Sequence, residues 1–390
     1  MSIGSFICWP KRVVTGPGAL QNLGGIIKEM GKSRVVVITD RVMKDLPLVA
    51  GMVERLRSEG LAVSMFGEIG PNPVEEMVHN AAAFMKEVKP EIIVCLGGGS
   101  PIDAGKAANV VYTHGGVVND YDVAAGGILK IFPKLLPLIA IPTTAGTGTE
   151  VTYVSVITDT QKQTKFGVVS PLLIPDVALL DPEVTVSMPP GLTAFTGIDA
   201  LTHCIESYTS VRGFPPAEAL ALHGIKMIAR SLRTAVKDGK NIRAREEMLV
   251  ASMMGGTAFS LNGLGACHAM AHQLSAFFDM PHGLANAILL PRVMKFNLPA
   301  NPQKFADIAE ALGAGIRSLS VRQGAEKALE MVETLSADVG IPRYLDDAGA
   351  TKDKIPAMVE RAMADNPITT NPRPVTPADV EKLYLESFRP

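Results

Sequence analysis

Between Arg34 and Ile141, short β-branched runs alternate with helix-length amphipathic segments. That alternation restricts the first half of the chain to a mostly parallel sheet covered on both faces. Arg34–Thr39 (R-V-V-V-I-T) ends at Asp40, Leu46–Glu59 has helical spacing of apolar residues, and Leu61–Phe66 reads as a second strand. Val74–Val88 is helical, Glu91–Leu96 is a buried strand running into three glycines, and Leu136–Ile141 is another strand, stopped by Pro142. Val151–Thr158 and Lys165–Val169, separated by a polar stretch over 159–164, read as a hairpin, and Val177–Leu180 as a last short strand. From Pro189 onward the periodicity is helical. The chain of 390 residues is therefore expected to form two domains, an α/β domain over 1–185 and an all-α domain over 186–390. No repeat or low-complexity linker intervenes, so the two are expected to pack directly with a cleft between them.

Composition excludes several classes of partner. The formal net charge is -2 and no Lys/Arg stripe forms, which speaks against nucleic acid, whose phosphates need concentrated positive charge. The mean hydropathy is positive, yet no run approaches the roughly 18–20 apolar residues of a spanning helix. The N-terminal M-S-I-G-S-F-I-C-W-P has no basic segment followed by a long apolar one, so no secretory signal is expected. Cys8, Cys95, Cys204 and Cys267 are widely spaced with no C-x-x-C pair, which suits reduced thiols and a cytoplasmic location.

Two loops suggest a ligand. Gly97-Gly98-Gly99-Ser100-Pro101-Ile102-Asp103 lies between a buried strand and a helix, with Ser100 expected as N-cap, Pro101 as first helical residue and Asp103 at the positive helix end. It is either a well-capped turn or a place where backbone N–H groups meet a phosphate. The G-x-G-x-x-G fingerprint is absent, since position 102 is isoleucine, and the acidic strand end, Asp40, precedes the glycines instead of following them. Asp40 reads equally as a cap after the strand or as an acceptor for ribose hydroxyls. The second loop, Pro142-Thr143-Thr144-Ala145-Gly146-Thr147-Gly148-Thr149-Glu150, puts four threonines at a strand's carboxyl end, where open α/β sheets bind ligands.

Of seven histidines, five fall between residues 203 and 282, and four of these, His203, His268, His272 and His282, stand out with a paired aspartate. Asp199 and His203, at i and i+4, share a helix face, as do His268 and His272, while His282 sits between Pro281 and Gly283. A carboxylate with three imidazoles suits Fe2+, Zn2+ or Mn2+. Spacing leaves open which three histidines bind, and a spare one is free to move protons. His79, His114 and His223 read as satisfied core histidines on apolar helix faces.

Taken together these strings resemble the iron-containing (group III) alcohol dehydrogenases. The likeness runs from about Phe6 through G-G-G-S-P-I-D at 97–103, P-T-T-A-G-T-G-T-E-V-T at 142–152 and D-P-E-V-T-V-S-M-P at 181–189. It continues through G-I-D-A-L-T-H at 197–203, H-A-M-A-H at 268–272, P-H-G-L-A-N at 281–286 and N-P-R-P at 371–374. The resemblance implies a dinucleotide-binding α/β domain like that of dehydroquinate synthase and glycerol dehydrogenase, followed by a helical metal domain. It implies Asp199, His203, His268 and His282 as metal ligands and His272 as an unligated catalytic histidine beside the nicotinamide. Asp40 matches the acidic residue associated with preference for NAD over NADP. Asn72, Gly98, Gly99, Ser100, Asp103, Thr143, Thr144, Thr147, Thr152, Val154, Lys165 and Val184 match positions lining the cofactor groove. Thr149, where serine or alanine is usual, and Ser275, where glycine is common, depart from the pattern at positions that are not ligands.

The expectation that follows is an NAD-dependent enzyme interconverting a small primary alcohol or diol and its aldehyde. A divalent ion, Fe2+ with Zn2+ or Mn2+ as substitutes, polarises the substrate oxygen, and His272 moves the proton. Phe166, Phe259, Val154 and the 367–373 loop are expected around the substrate, and the chain is expected to form a homodimer or higher homo-oligomer. Rival readings are a zinc polyol dehydrogenase of the glycerol type and, in another class, a dehydroquinate-synthase-like lyase, which would show no net NADH change at 340 nm.

Overall fold

The computed structural model describes residues 8–162 and 164–390. Phe6, where the family likeness begins, lies outside the described residues. Two compact units emerge: Cys8–Thr144 with Gly148–Ser187, and Ala145–Thr147 with Met188–Pro390.

The first unit is built on a six-stranded, wholly parallel sheet in the order β1-β8-β5-β4-β2-β3. In chain order its elements are β1 (Arg12–Thr15), α1 (Leu23–Glu29), β2 (Arg34–Asp40), α2 (Pro47–Ser58), β3 (Ala62–Ile69) and α3 (Glu75–Val88). Then come β4 (Ile92–Gly97), α4 (Gly99–His114), β5 (Leu138–Pro142), the antiparallel hairpin β6 (Val154–Asp159) and β7 (Thr164–Val169), and β8 (Val177–Leu180). Strand alternation separates two cores. Ile92, Val94 and Leu96 face one side with α1 and α2, while Ile93 and Cys95 face the other with α3 and α4. Gly105 lets α4 lie close on the sheet, because a Cβ there would stand 2.2 Å from Cys95 Sγ.

Several local expectations are corrected. β1 was not anticipated, being a four-residue, half-exposed edge strand with little apolar signal. β5 begins at Leu138, not Leu136, and β6 at Val154, not Val151, because Thr149–Val151 coil into a 3₁₀ turn. Ser100 is not the N-cap: α4 starts at Gly99 with Gly98 as cap and no side-chain capping bond, so Pro101 is the third helical residue. That position is still harmless to proline, since the first-turn N–H groups have no helical partner.

The second unit is helical throughout: α5 (Pro190–Thr209), α6 (Pro215–Lys237), α7 (Ile242–Asn262), α8 (Ala266–Phe278) and α9 (His282–Asn297). It continues with α10 (Pro302–Ala311), α11 (Val321–Asp338), α12 (Ile355–Ala364) and α13 (Pro377–Glu386). α5, α6, α10 and α13 begin at proline, whose missing N–H costs nothing there. Among the described residues no helix is long and apolar enough to cross a membrane.

Candidate metal centre and dinucleotide edge

Three helices of the second unit bring four side chains to one point. Asp199 and His203 stand one turn apart on α5, His268 comes from the first turn of α8, and His282 opens α9. One ligand atom from each lies within 4.8 Å of all the others. His268 Nε2 and His282 Nε2 are 3.8 and 3.6 Å from Asp199 Oδ1, and the His203 and His268 rings stack 4.6 Å apart. The P-H-G sequence makes this approach possible: a Cβ on Gly283 would stand 2.4 Å from the Phe195 carbonyl of α5.

The cluster is oriented from behind. His203 Nδ1 lies 3.1 Å from the Gly146 carbonyl and His268 Nδ1 lies 2.5 Å from Glu206 Oε2, so both rings present Nε2 inward. Asn286 Nδ2 donates to Asp199 Oδ1 at 2.8 Å and lies 3.1 Å from His282 Nε2. Burial pushes His203 down to about 4 and His268 down to about 3, which leaves neutral imidazoles at pH 7. Burial also lifts the Glu206 carboxyl to about 7, although it accepts the Cys267 N–H at the start of α8.

These residues fit a divalent ion. His268 Nε2 is buried without a hydrogen-bond partner, which is costly for a ring nitrogen unless something else takes its lone pair. Ligands bonded tetrahedrally at ~2.0–2.2 Å stand about 3.3–3.6 Å apart, so side-chain shifts of about an ångström close the group around an ion.

His272 stands outside the group of four. Its ring stacks on His282 with centroids 5.2 Å apart, and its Nδ1 lies 2.7 Å from Asp365 Oδ2. Phe259 lies 4.7 Å, ring to ring, from His203. Glu206, Asn286 and Asp365 escaped the sequence reading. Asn286 stood only as the last letter of P-H-G-L-A-N, and Glu206 only as a carboxylate three residues after His203.

In the first unit the polar loops gather on the carboxyl edge of three adjacent strands, β5, β4 and β2. Gly97 pairs with Pro142, and the Thr143 N–H donates to the Gly97 carbonyl at 2.9 Å. Gly97 has φ +149°, and a Cβ there would meet Pro101 at 2.6 Å and Asp40 Oδ2 at 3.1 Å. Asp40 Oδ1 accepts from the Val42 and Met43 N–H groups, so it does cap the turn after β2. Gly98, Gly99 and Ser100 open α4, with Thr144 against Gly98. Lys165 donates to Asn72 Oδ1 at 3.0 Å, Val184 is buried in a 3₁₀ turn, and Phe166 packs on the core beside α3 and α4. Thr147 belongs to the short segment grouped with the second unit.

Both oxygens of Asp103 are tied into the fold: Oδ1 accepts from Thr149 Oγ1 at 2.5 Å and Oδ2 from the Val156 N–H at 3.0 Å. Three residues on, the buried Lys106 ammonium reaches the carbonyls of Thr149, Thr152 and Val154 at 2.7, 2.8 and 3.0 Å and both threonine hydroxyls. Burial lowers Lys106 to about 8 and raises the neighbouring Glu150 to about 7. Lys106 was missed in the sequence, where it reads as a surface lysine of a helix.

Comparison with known proteins supplies the family. The profile described as "Iron-containing alcohol dehydrogenase" matches residues 10–182, and that of the "Fe-containing alcohol dehydrogenase family, C-terminal" matches 193–388. The chain is 40% identical over 375 residues to 1,3-propanediol dehydrogenase of Klebsiella pneumoniae, with 96% of each chain covered. It is 35% identical over 379 residues to the NAD-dependent methanol dehydrogenase of Bacillus methanolicus, covering 97% of this chain and 98% of that one. A crystal structure of 1,3-propanediol oxidoreductase superposes with a TM-score of 0.95 at 40% identity, over 99% of this chain and 100% of the other. The chain belongs to the iron-containing alcohol dehydrogenase family.

Proposed function

We propose that the protein is an NAD(H)-dependent oxidoreductase interconverting a small primary alcohol or diol and its aldehyde. Asp199, His203, His268 and His282 hold the divalent ion, Fe2+ in the native enzyme, with Zn2+ or Mn2+ able to replace it. The observation carrying this reading is the convergence of those four ligand atoms within 4.8 Å of one another. When bound, the ion supplies Lewis acidity at the substrate oxygen and NAD supplies the hydride acceptor. His272 takes the hydroxyl proton in oxidation and returns it in reduction, so each turnover moves one hydride and one proton.

Gly98, Gly99 and Ser100, at the start of α4, offer backbone N–H groups to the pyrophosphate. Asp40 accepts from the ribose hydroxyls. Asn72, Asp103, Thr143, Thr144, Thr147, Thr152, Val154, Lys165 and Val184 shape the rest of the dinucleotide site. Phe166 and Phe259 supply apolar contacts that favour a short aliphatic substrate, in keeping with relatives named for propanediol and methanol. A cytoplasmic homo-oligomer completes the proposal.

The test is a panel of short aldehydes and hydroxyaldehydes assayed with NADH, on protein stripped by chelator and reloaded separately with Fe2+, Zn2+ or Mn2+. NADH oxidation that disappears on stripping and returns on reloading is expected. Undiminished turnover by metal-free protein sinks the metal assignment, and equal use of NADPH sinks the role given to Asp40.

A further inference from the structure

We infer that Asp365 is the positioning residue of His272, holding the imidazole with Nδ1–H on its own carboxylate so that Nε2 is the nitrogen that exchanges the substrate's proton. This rests on the relay role proposed for His272. The contact is a 2.7 Å bond from Nδ1 to Asp365 Oδ2, and the same oxygen accepts a longer bond, 3.4 Å, from Gln273 Nε2.

A loop fastener would explain the contact more simply, but the loop is fastened without it. Asp365 ends α12 and opens the 3₁₀ turn Asn366–Thr370. At the far end of that turn Thr370 Oγ1 donates to the Leu264 carbonyl at 2.5 Å. Asn371 Oδ1 accepts from the Ala266 N–H at 3.1 Å and from Asn297 Nδ2 at 2.9 Å. On the near side the Arg361 guanidinium lies 4.6 Å over the Phe277 ring of α8. Both flanks of Asp365 are thus anchored to α8 or its leading residues by other groups.

The arrangement also repeats one seen a turn earlier on the same helix. His268 Nδ1 faces the Glu206 carboxylate from α5, and His272 Nδ1 faces Asp365 from the C-terminal loop. In each ring a carboxylate on Nδ1 fixes the tautomer and leaves Nε2 as the working nitrogen. The two pairs differ in exposure: the His268 and Glu206 side chains are 1% and 4% exposed, those of His272 and Asp365 19% and 23%. The outer pair therefore reaches water, where the hydroxyl proton taken at Nε2 can leave while the hydride goes to NAD.

The test compares Asp365→Ala, Asp365→Asn, His272→Ala and the double variant His272→Ala/Asp365→Ala, all metal-loaded, by kcat, KM, metal content and NADH fluorescence. Asp365→Ala should lower kcat by roughly 10- to 100-fold, with metal and NADH binding unchanged. Asp365→Asn should restore most of it, since its amide oxygen still accepts from Nδ1–H. The double variant should be no slower than His272→Ala, because Asp365 acts only through the ring. In the metal-free protein, ring ¹⁵N resonances assigned by their loss in His272→Ala should report protonated Nδ1 in the wild type and mixed tautomers in Asp365→Ala.

Wild-type kcat in Asp365→Ala, metal loss in that variant, or losses that multiply in the double variant would each overturn the assignment. Should Asp365→Ala not fold, Asp365→Asn decides: near-wild-type kcat with Nδ1 protonated supports it, and a rate as low as that of His272→Ala overturns it. A fast His272→Ala removes the relay itself, whereas a slow His272→Ala beside a fast Asp365→Ala removes only the positioning.

Discussion

Two buried polar clusters, one in each unit, solve the problem of charge in a protein interior in opposite ways. In the first unit Lys106 is 1% exposed, yet its ammonium is ringed by three carbonyls and two hydroxyls from the segment between Thr149 and Val154. In the second, Asp199 is 2% exposed and meets an amide from Asn286, while His268 Nε2, at the same centre, has no hydrogen-bond partner. A buried charge supplied with partners by its own chain serves the fold. A buried carboxylate among neutral imidazoles with inward-facing lone pairs serves a cation. Sequence spacing shows the second kind and hides the first.

The open cluster is the more sensitive of the two. His268→Ala should cost more than about 10³-fold in turnover, equivalent to ~4 kcal/mol, because the ion's Lewis acidity goes with it. Elemental analysis should find the metal gone, and fluorescence titration should find NADH still bound. A variant that keeps both metal and rate would show that His268 is not a ligand.

Lys106→Met attacks the closed cluster and should leave metal content alone. Stranding several buried acceptors costs about 2–4 kcal/mol, read as a lower urea midpoint. The effect has a pH signature. Lys106 is held down at about 8 against 10.5, so between those values the native state binds fewer protons than the unfolded chain. Wild-type stability then rises with pH through that window. Methionine does not titrate, so the deficit of the variant should widen between pH 7.5 and 9.5; a deficit that narrows would mean that burial does not disfavour the charged lysine.

What could be read in advance follows the same division. Strands β2 and β4 were visible because burial on both faces demands continuous apolar runs, and the four metal-facing residues because histidine and aspartate are rare in apolar helices. Ser100 misled because the glycines before it let the helix begin two residues early. Asp365 was hidden for a topological reason: its partner lies 93 residues away, and A-D-N-P reads as turn chemistry. Thr149, noted only as a departure from the family pattern, bridges Asp103 and Lys106, a role that exists only once α4 lies under the loop.

Glu206→Gln perturbs the metal centre from behind without dismantling either cluster. It keeps an acceptor for His268 Nδ1 but removes a carboxyl whose ionisation burial already opposes. Loss of an orienting partner behind a metal ligand costs roughly 10- to 100-fold in metal affinity. Competition with a fluorescent chelator measures this directly, and an unchanged affinity would show that Glu206 caps α8 and does nothing for the ion.

Asp40 joins the two solutions in one side chain, and the smallest effect is expected there. Its Oδ1 is closed by the Val42 and Met43 N–H groups, whereas Oδ2 accepts no hydrogen bond among the described residues and stands beside Gly97. If Oδ2 meets the ribose, a 2′-phosphate placed about 4 Å away is opposed by roughly 1–4 kcal/mol, the lower part of that range applying to a half-exposed group. Asp40→Asn separates the functions, since its amide oxygen can still cap the turn while the charge is gone. NADP use should improve by about tenfold with NAD use reduced only a few-fold, and added salt should narrow the wild-type preference but not that of the variant. Asp40→Gly removes the cap as well and should cost about 1 kcal/mol of stability in addition. Steady-state kcat/KM for both cofactors at low and high salt decides it: a preference that survives Asp40→Asn intact would place the adenosine ribose away from β2.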